Sequence, residues 1–221
     1  MRRVLRYGPA AVLILLVFVG VVLQGSLPVA SINAWVAGGS PLAQRTGACA
    51  VTLADGNVLI AGGVDAGGNP LASAEIVSKF SGSFSAAASM LAARSRHACA
   101  ALPDGRVLVM GGVVSGGVTN DTEIYDPSSG TWAAGPPMSG TGRAGHTASV
   151  LSDGKVVIAG GENGSAVLAS VEIYDPEANS FAPAGALNEP RKDHGAAATL
   201  DGWVWIGGGH NGTEELASAE V

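Results

Sequence analysis

Three histidines recur at one position of the sequence, and imidazole is the commonest metal-binding side chain in proteins. His97, His146 and His194 each lie seven residues before an Asp-Gly pair. Three such residues from equivalent segments could converge on one transition metal ion. The equivalent residue of the preceding segment is Ala48, however, and recurrence with a fixed period is also what a structural role produces. The structural interpretation is favoured, and no metal or cofactor is assigned.

An arginine and a glutamate recur with the same period and could bind a charged substrate. Charged groups buried in a protein are normally paired, so the competing interpretation is a polar tie within or between the repeated segments. We expect the tie. The residues are Arg45, Arg94, Arg143, Arg191, Glu75, Glu123, Glu172 and Glu220.

Four short segments differ most between the repeats: "VDAGGNPLA", "VVSGGVTN", "ENGSAVLA" and "HNGTEELA". Variation confined to one set of loops is typical of a binding surface. Carboxylate and amide oxygens there could bind Ca²⁺ or a sugar, although Gly, Asn and Asp also suit ordinary turns. The candidate binding residues are Asp65, Asn69, Asn120, Asp121, Glu162, Asn163, His210 and Asn211.

The two cysteines are Cys49, six residues before its Asp-Gly pair, and Cys99, five residues before. Positions that differ by one residue face opposite sides of a strand. We therefore expect two buried free thiols that pack as small apolar side chains, rather than a disulfide.

These residues belong to a unit that is repeated along the chain. Asp-Gly pairs begin at Asp55, Asp104, Asp153 and Asp201, and paired glycines align at Gly62, Gly111, Gly160 and Gly207. An aromatic residue recurs at Trp35, Phe84, Trp132 and Phe181. Each unit contains four strand-like segments, of which the first ends at Asp-Gly, a dipeptide suited to a tight hairpin. A period near 50 residues with four strands per unit is typical of a β-propeller.

Two phrases, "DTEIYDPSSGTW" and "SVEIYDPEANSF", resemble the kelch repeat of bacterial proteins, a family that includes the propeller domain of galactose oxidase. The resemblance covers residues 33–221 and implies an all-β propeller of four-stranded antiparallel blades. It also implies that the first strand of each unit is innermost, which fits the small residues there. Folds of this kind host many functions, so the resemblance says little about activity.

The propeller domain is expected over residues 32–221. Its units lie near 45–93, 94–142, 143–190 and 191–221, the last incomplete, with an orphan outer strand over 33–44. About four repeats are therefore present. They could close a four-bladed ring, or form part of a ring of six or seven blades. The end of the sequence inside a third strand favours the second alternative.

Residues 1–31 are expected to be a signal peptide, because three arginines precede an uncharged run over 10–23. The alternative is an uncleaved anchor, in which case these residues are the contact with a membrane. Beyond residue 31 the chain has nine Lys or Arg and 18 Asp or Glu, a net charge of −9. Such a balance argues against a nucleic-acid partner. The expected location is outside the cytoplasm: secreted, periplasmic or at the cell surface.

The sequence contains no evident catalytic constellation. Oxidation by a galactose-oxidase-like copper site would need free tyrosine ligands, and Tyr125 and Tyr174 belong to the repeat phrase. The favoured function is a binding or interaction module for an extracellular protein or glycan. The alternative is part of a secreted carbohydrate-active enzyme, such as a galactose-oxidase-like oxidase or a sialic acid mutarotase.

Overall fold

The computed structural model describes residues 38–221, which form antiparallel β-strands and no helix. This part of the chain accordingly has no helix with the length and apolar character needed to cross a membrane. The expected leader, the apolar run over 10–23 and Trp35 lie outside the described residues.

The strands form four small sheets, or blades, in chain order, and one separate two-stranded hairpin. Blade 1 contains β1 (Cys49–Thr52), β2 (Val58–Ala61), β3 (Ala74–Val77) and β4 (Phe84–Ala87). Blade 2 contains β5 (Ala98–Ala101), β6 (Val107–Met110), β9 (Thr122–Asp126) and β10 (Thr131–Ala134), and the segment between β6 and β9 forms the separate hairpin of β7 (Val113–Val114) with β8 (Gly117–Val118). Blade 3 contains β11 (Thr147–Val150), β12 (Val156–Ala159), β13 (Ser170–Asp175) and β14 (Ser180–Ala186). Blade 4 contains β15 (Gly195–Ala198), β16 (Val204–Gly207) and β17 (Ala219–Glu220).

This arrangement is a β-propeller with four blades, which confirms the predicted fold class. Blades 1 to 3 have four strands, and blade 4 has three. The innermost strands β1, β5, β11 and β15 contact one another in sequence order. Residues 38–44, the described part of the expected orphan strand, form no strand.

The core lies between successive blades. We call the side of a blade that faces the next blade its forward face, and the other side its rear face. Leu59 on the forward face of blade 1 packs in one cluster with Val107 and Val109 on the rear face of blade 2. Leu108 on the forward face of blade 2 packs with Ile158 of blade 3 in the same way. All five side chains are fully buried, so most of the hydrophobic stabilisation arises at blade interfaces.

Aromatic pairs from the outer two strands fill the wider part of these interfaces. The ring centroids of Tyr125 and Trp132 lie 5.0 Å apart, and those of Tyr174 and Phe181 lie 4.9 Å apart, in tilted arrangements. Small innermost side chains and large outer ones therefore give each blade a wedge shape that packs densely around an axis.

The expectation of two free thiols was wrong, because Cys49 and Cys99 form a disulfide with a Cα–Cα distance of 6.0 Å. The two residues do face opposite sides of their own blades. In a propeller, however, the forward face of one blade meets the rear face of the next. Opposite orientation is thus the condition that brings the two sulfurs together, and the disulfide joins blade 1 to blade 2.

The alignment of the paired glycines also needs one correction, in blade 4. The arginine that precedes each blade donates to Gly62, Gly111 and Gly160 in blades 1 to 3, and to Gly208 rather than Gly207 in blade 4. Gly208 also has the positive φ of its equivalents, at 67°. The repeat is therefore more regular than the sequence alignment suggested.

Candidate functional site

The repeating arginines and glutamates form ties within each blade, as the structural interpretation predicted. In blade 3, Arg143 Nη2 lies 2.6 Å from Glu172 Oε1, and Arg143 Nη1 donates to the carbonyl oxygens of Gly160 and Ser170. The same glutamate accepts the backbone N–H of Ser139 from the segment that leads out of blade 2. Because Arg143 is only 1% exposed, its charge is satisfied inside the fold and is not offered to a ligand.

The three histidines lie at blade interfaces, each 7% exposed. A Cβ atom on Gly62 of blade 1 would lie 2.5 Å from His97 Cε1, so imidazole and glycine pack directly against each other. Burial and then the neighbouring arginine lower the pKa of His97 to about 4, and that of His194 to about 4. The same causes lower the pKa of His146 to about 3. Over residues 38–221, no group of three or more His, Cys, Asp or Glu side chains is placed to hold a metal ion.

Six of the eight candidate loop residues form hydrogen bonds within the protein, five of them inside their own loops. Asp65 Oδ1 accepts the N–H groups of Gly67 and Asn69, and the hydrogen bonds from Asn69 lower the pKa of Asp65. Asn163 and Asn211 accept N–H groups two and three residues further on, as Asx turns do. Asn120 donates to the carbonyl oxygen of Met138, and Asp121 bonds to Thr119.

Of the other two candidates, Glu162 belongs to a charged group that the tertiary structure assembles, and His210 lies beside that group. Glu162 pairs with Arg96, and its second oxygen accepts from Lys192 Nζ at 2.5 Å. Arg96 Nη2 lies 3.0 Å from Asp193. The backbones of Lys192 and His210 exchange two hydrogen bonds, which places His210 beside the pair. We call Arg96, Glu162, Lys192 and Asp193 the central cluster.

The cluster lies at one end of the innermost strands. Arg96 precedes β5, Glu162 follows β12, and Lys192 and Asp193 precede β15, so three blades contribute. A chain of backbone hydrogen bonds of 2.8–2.9 Å links this end: Arg96 to Gly47, Gly145 to Arg96, and Asp193 to Gly145. The cluster is therefore anchored to the blade framework itself and not only to loop tips.

Two residues of the cluster have a strained backbone. Arg96 and Asp193 have φ angles of 54° and 53°, in the left-handed region, whereas the equivalent residues of blades 1 and 3 are Gly47 and Gly145. A non-glycine residue in this conformation costs of order 1 kcal/mol or more, and such residues concentrate at functional sites. The strained backbone therefore makes these two residues the first candidates for a functional role at this end of the strands.

The cluster is partly open to solvent. The Arg96 side chain is 36% exposed and that of Asp193 is 54% exposed. A hydrogen bond from Lys192 is the main cause that lowers the pKa of Glu162, so this carboxylate stays charged. Cavities of about 300 and 400 Å³ adjoin the cluster, one lined by Lys192, Asp193 and His210, the other by Glu162, Lys192 and Asn211. The arrangement offers charges of both signs and hydrogen-bonding groups to a ligand.

A cavity of about 440 Å³ at the opposite end of the strands is larger, but it is a weaker candidate. Its lining includes Asp55, Asp104 and Arg106 from the Asp-Gly hairpins. These turns recur in every unit, and none of the non-glycine residues that line the cavity has a positive φ. We therefore place the candidate site at the central cluster.

Sequence analysis missed Arg96, Lys192 and Asp193. A signal was present, because two residues after each repeating arginine the chain has Gly47, Arg96, Gly145 and Asp193. Arg and Asp at a position that is glycine in the other two units indicate that the fold tolerates backbone strain there. The tyrosines, by contrast, lie as the repeat phrase indicated: Tyr125 and Tyr174 are buried between blades.

Comparison with known proteins identifies the repeat. Residues 94–139 and 143–188, which span blades 2 and 3 with their leading segments, each match the Kelch motif. No curated protein matches the chain.

Proposed function

Because the chain is a kelch-repeat β-propeller, we propose that it is a protein-interaction module that recognises its partner at the central cluster. The repeat and the blades support an interaction role in general.

The observation behind this choice is the strained pair Arg96 and Asp193, held 3.0 Å apart at the end of the blade framework. Three blades supply the surrounding charges, so a ligand there would contact several repeats at once. A protein surface with charged side chains could exchange partners with the exposed ion pairs at little cost, because such pairs contribute only about 0–1 kcal/mol each. Electrostatic complementarity of this kind gives specificity and fast association.

We propose further that the module acts outside the cytoplasm. The expected leader over residues 1–31 supports this location, and so does the Cys49–Cys99 disulfide, since disulfides persist mainly in oxidising compartments. Fractionation of the producing cells tests it. Protein recovered from the cytoplasm with reduced cysteines would contradict this part of the proposal.

The test of the binding site uses Arg96→Gly, because glycine adopts the local φ of 54° without strain and occupies the same position in two other blades. A photo-crosslinking amino acid is placed at Ser165, an exposed residue beside the cluster. The probe is the extracellular fraction of the producing cells. We expect Arg96→Gly to leave the thermal transition in place and to reduce the cross-linked partner by at least about tenfold, equivalent to 1.4 kcal/mol.

The matched control is Arg106→Ala, which removes an exposed arginine from the opposite end of the propeller. It should leave cross-linking unchanged. Equal capture by wild type and Arg96→Gly would contradict the proposed site. Cross-linking to an oligosaccharide that is lost in Arg96→Gly would keep the site but replace the protein partner with a glycan.

A further inference from the structure

His210 does not belong to the series of histidines that repeats at the blade interfaces. It follows β16 at the position where blades 1 to 3 have Val64, Val113 and Glu162. The repeat therefore does not require a histidine there. The Nδ1 atom of His210 accepts the backbone N–H of Gly212 at 2.8 Å. In the neutral ring the proton is then on Nε2, and Nδ1 is a base within reach of the Gly212 nitrogen.

The residue between these two is Asn211, so the loop reads His-Asn-Gly. The backbone nitrogen that follows an asparagine can attack the side-chain amide carbon, which closes a cyclic imide and expels ammonia. Glycine favours this attack, because it has no Cβ to obstruct the approach and adopts unusual backbone angles readily. Gly212 has a φ of 104° and is exposed, so water can reach the imide and open it.

The carbonyl oxygen of the Asn211 side chain is held where negative charge develops during such an attack. Oδ1 accepts the N–H groups of Thr213 and Glu214, both at 2.9 Å, and the hydroxyl of Thr213 at 2.8 Å. Preorganised donors at this oxygen stabilise the transition state of attack on the carbon.

The leaving nitrogen of Asn211 is also unrestrained, since no residue within 38–221 accepts a hydrogen bond from its Nδ2. Four other asparagines of the described chain differ in this respect, because their Nδ2 atoms donate to the protein. They are Asn57, Asn69, Asn120 and Asn188.

We propose that His210, Asn211 and Gly212 form a self-modifying site that converts Asn211 to aspartate or isoaspartate. His210 Nδ1 takes the proton of the Gly212 nitrogen as this nitrogen bonds to Asn211 Cγ. The Cγ–Nδ2 bond then breaks, and the imidazolium returns the proton to the departing nitrogen, which leaves as ammonia. Water opens the cyclic imide at either carbonyl. The net reaction consumes one water and releases one ammonia, with no redox step and no cofactor.

The equivalent loop of blade 3 supplies a matched comparison at Asn163-Gly164. Asn163 Oδ1 likewise accepts two backbone N–H groups of its own loop, and Gly164 is exposed with a positive φ of 88°. The residue at the position of His210 is Glu162, however, whose carboxylate is already bound by two cations of the central cluster. The two loops therefore share the glycine and the turn, and they differ in the base.

The conversion changes the charge beside the central cluster. Asn211 lines the cavity of about 400 Å³ together with Glu162 and Lys192. Either product adds one negative charge there, and isoaspartate also reroutes the backbone through the former side chain. The reaction takes place inside one loop, so it is independent of the partner proposed for the cluster.

The experiment follows both asparagines in one sample of the freshly purified full chain during incubation near neutral pH. Peptide mapping by mass spectrometry measures the exchange of amide for acid at each site, and an isoaspartate-specific methyltransferase assay detects the isomer. We expect Asn211 to convert at least about tenfold faster than Asn163, because a positioned base typically contributes more than this. In urea the excess at Asn211 should vanish, because unfolding removes the contact between His210 and Gly212.

The variant His210→Gln isolates the role of the base. A glutamine oxygen can accept the Gly212 N–H but cannot take up its proton. We expect the rate at Asn211 to fall at least about tenfold, while the rate at Asn163 in the same sample stays unchanged. If His210 only held the loop in shape, glutamine would restore the hydrogen bond and the rate would not fall.

Four outcomes would overturn the proposal. Equal rates at Asn211 and Asn163 would mean that the base contributes nothing, and so would an Asn211 rate that His210→Gln leaves unchanged. Faster conversion of Asn211 in urea than in the folded chain would mean that the fold protects the pair. Cleavage of the chain between Asn211 and Gly212 would mean that Nδ2 attacks the backbone carbonyl instead.

Discussion

The buried arginines that precede the blades are the residues that most need charge and hydrogen-bond partners inside the fold. Arg94 donates to the carbonyl oxygens of Gly111 and Asp121 and to Glu123 Oε1 at 2.7 Å. Glu123 in turn accepts the N–H groups of Leu91 and Ala92. One ion pair therefore joins the first, second and third strands of a blade to the segment that enters it. Such a network stabilises only while every partner is present.

We predict that Glu123→Ala lowers the free energy of unfolding by about 3–5 kcal/mol, because it leaves the Arg94 guanidinium buried without its counter-charge. Urea denaturation followed by tryptophan fluorescence measures the change. Glu177→Ala, at an exposed turn of blade 3, is the control and should change the same free energy by less than about 0.5 kcal/mol. Similar values for both variants would show that the buried pair contributes little.

At the scale of elements, each second strand ends in a glycine pair that lets the next blade approach. The first glycine of each pair has a positive φ, and in blades 1 to 3 a Cβ atom there would collide with the segment entering the next blade. On Gly160, for example, it would lie 2.3 Å from the carbonyl oxygen of Arg191. The pair thus sets the distance between blades as well as the direction of the chain.

We predict that Gly160→Ala costs more stability than backbone strain alone. Gly130 is the matched control, because its φ of 67° is close to the 62° of Gly160 but no other residue lies within 4 Å of its Cβ position. Gly130→Ala should cost about 1–2 kcal/mol, the price of the left-handed conformation. Gly160→Ala should cost about 1–3 kcal/mol more for the collision. Equal losses in urea denaturation would mean that the blades can move apart freely.

At the scale of the whole molecule, three blade interfaces each contain a neutral histidine. Within the described protein, neither ring nitrogen of His97 or His146 has a hydrogen-bond partner. A buried imidazole of this kind resists protonation, because the charged form would lose its hydration. The histidines therefore couple the packing of all four blades to pH.

We predict that the free energy of unfolding falls as the pH drops from about 6.5 towards 4. The pKa values of His97 and His146 are lowered from 6.5 to about 4 and about 3, so in this window the unfolded chain binds protons that the folded chain does not. Each such histidine contributes up to about 1.4 kcal/mol per pH unit. Urea denaturation at pH 7, 6 and 5 measures the slope.

His146→Asn should flatten that slope, since it removes one of the buried imidazoles. Above pH 5, carboxylates contribute little to the pH dependence of the free energy of unfolding. The pKa of Glu162, for instance, is lowered below 4.5 mainly by its hydrogen bond from Lys192, so its contribution is lost only at lower pH. A stability that stays constant from pH 7 to pH 5 would contradict the prediction.

Much of the fold could be predicted from the sequence because its causes are local. Asp-Gly pairs set the hairpins, apolar alternation sets the strands, and the repeat period sets the number of blades. The Arg–Glu ties were also predictable, since a charge that recurs inside an apolar unit has to be paired. Of the eight candidate loop residues, the structure brings only Glu162 and His210 to the central cluster. Asn120 ties its loop to Met138, and the remaining five are turn residues, a role that the same amino acids also suggest.

What only the tertiary structure decided is how residues of different blades meet. Cys49 and Cys99 face opposite sides of their blades, and the sequence alone made that an argument against a bond. Arg96, Glu162 and Asp193 are separated by up to 97 residues, yet they share one cluster. The physical reason is the same in both cases. Strand and turn formation depend on neighbours in the chain, whereas contacts between blades depend on how wedge-shaped sheets pack around an axis, which brings opposite faces and distant loops together.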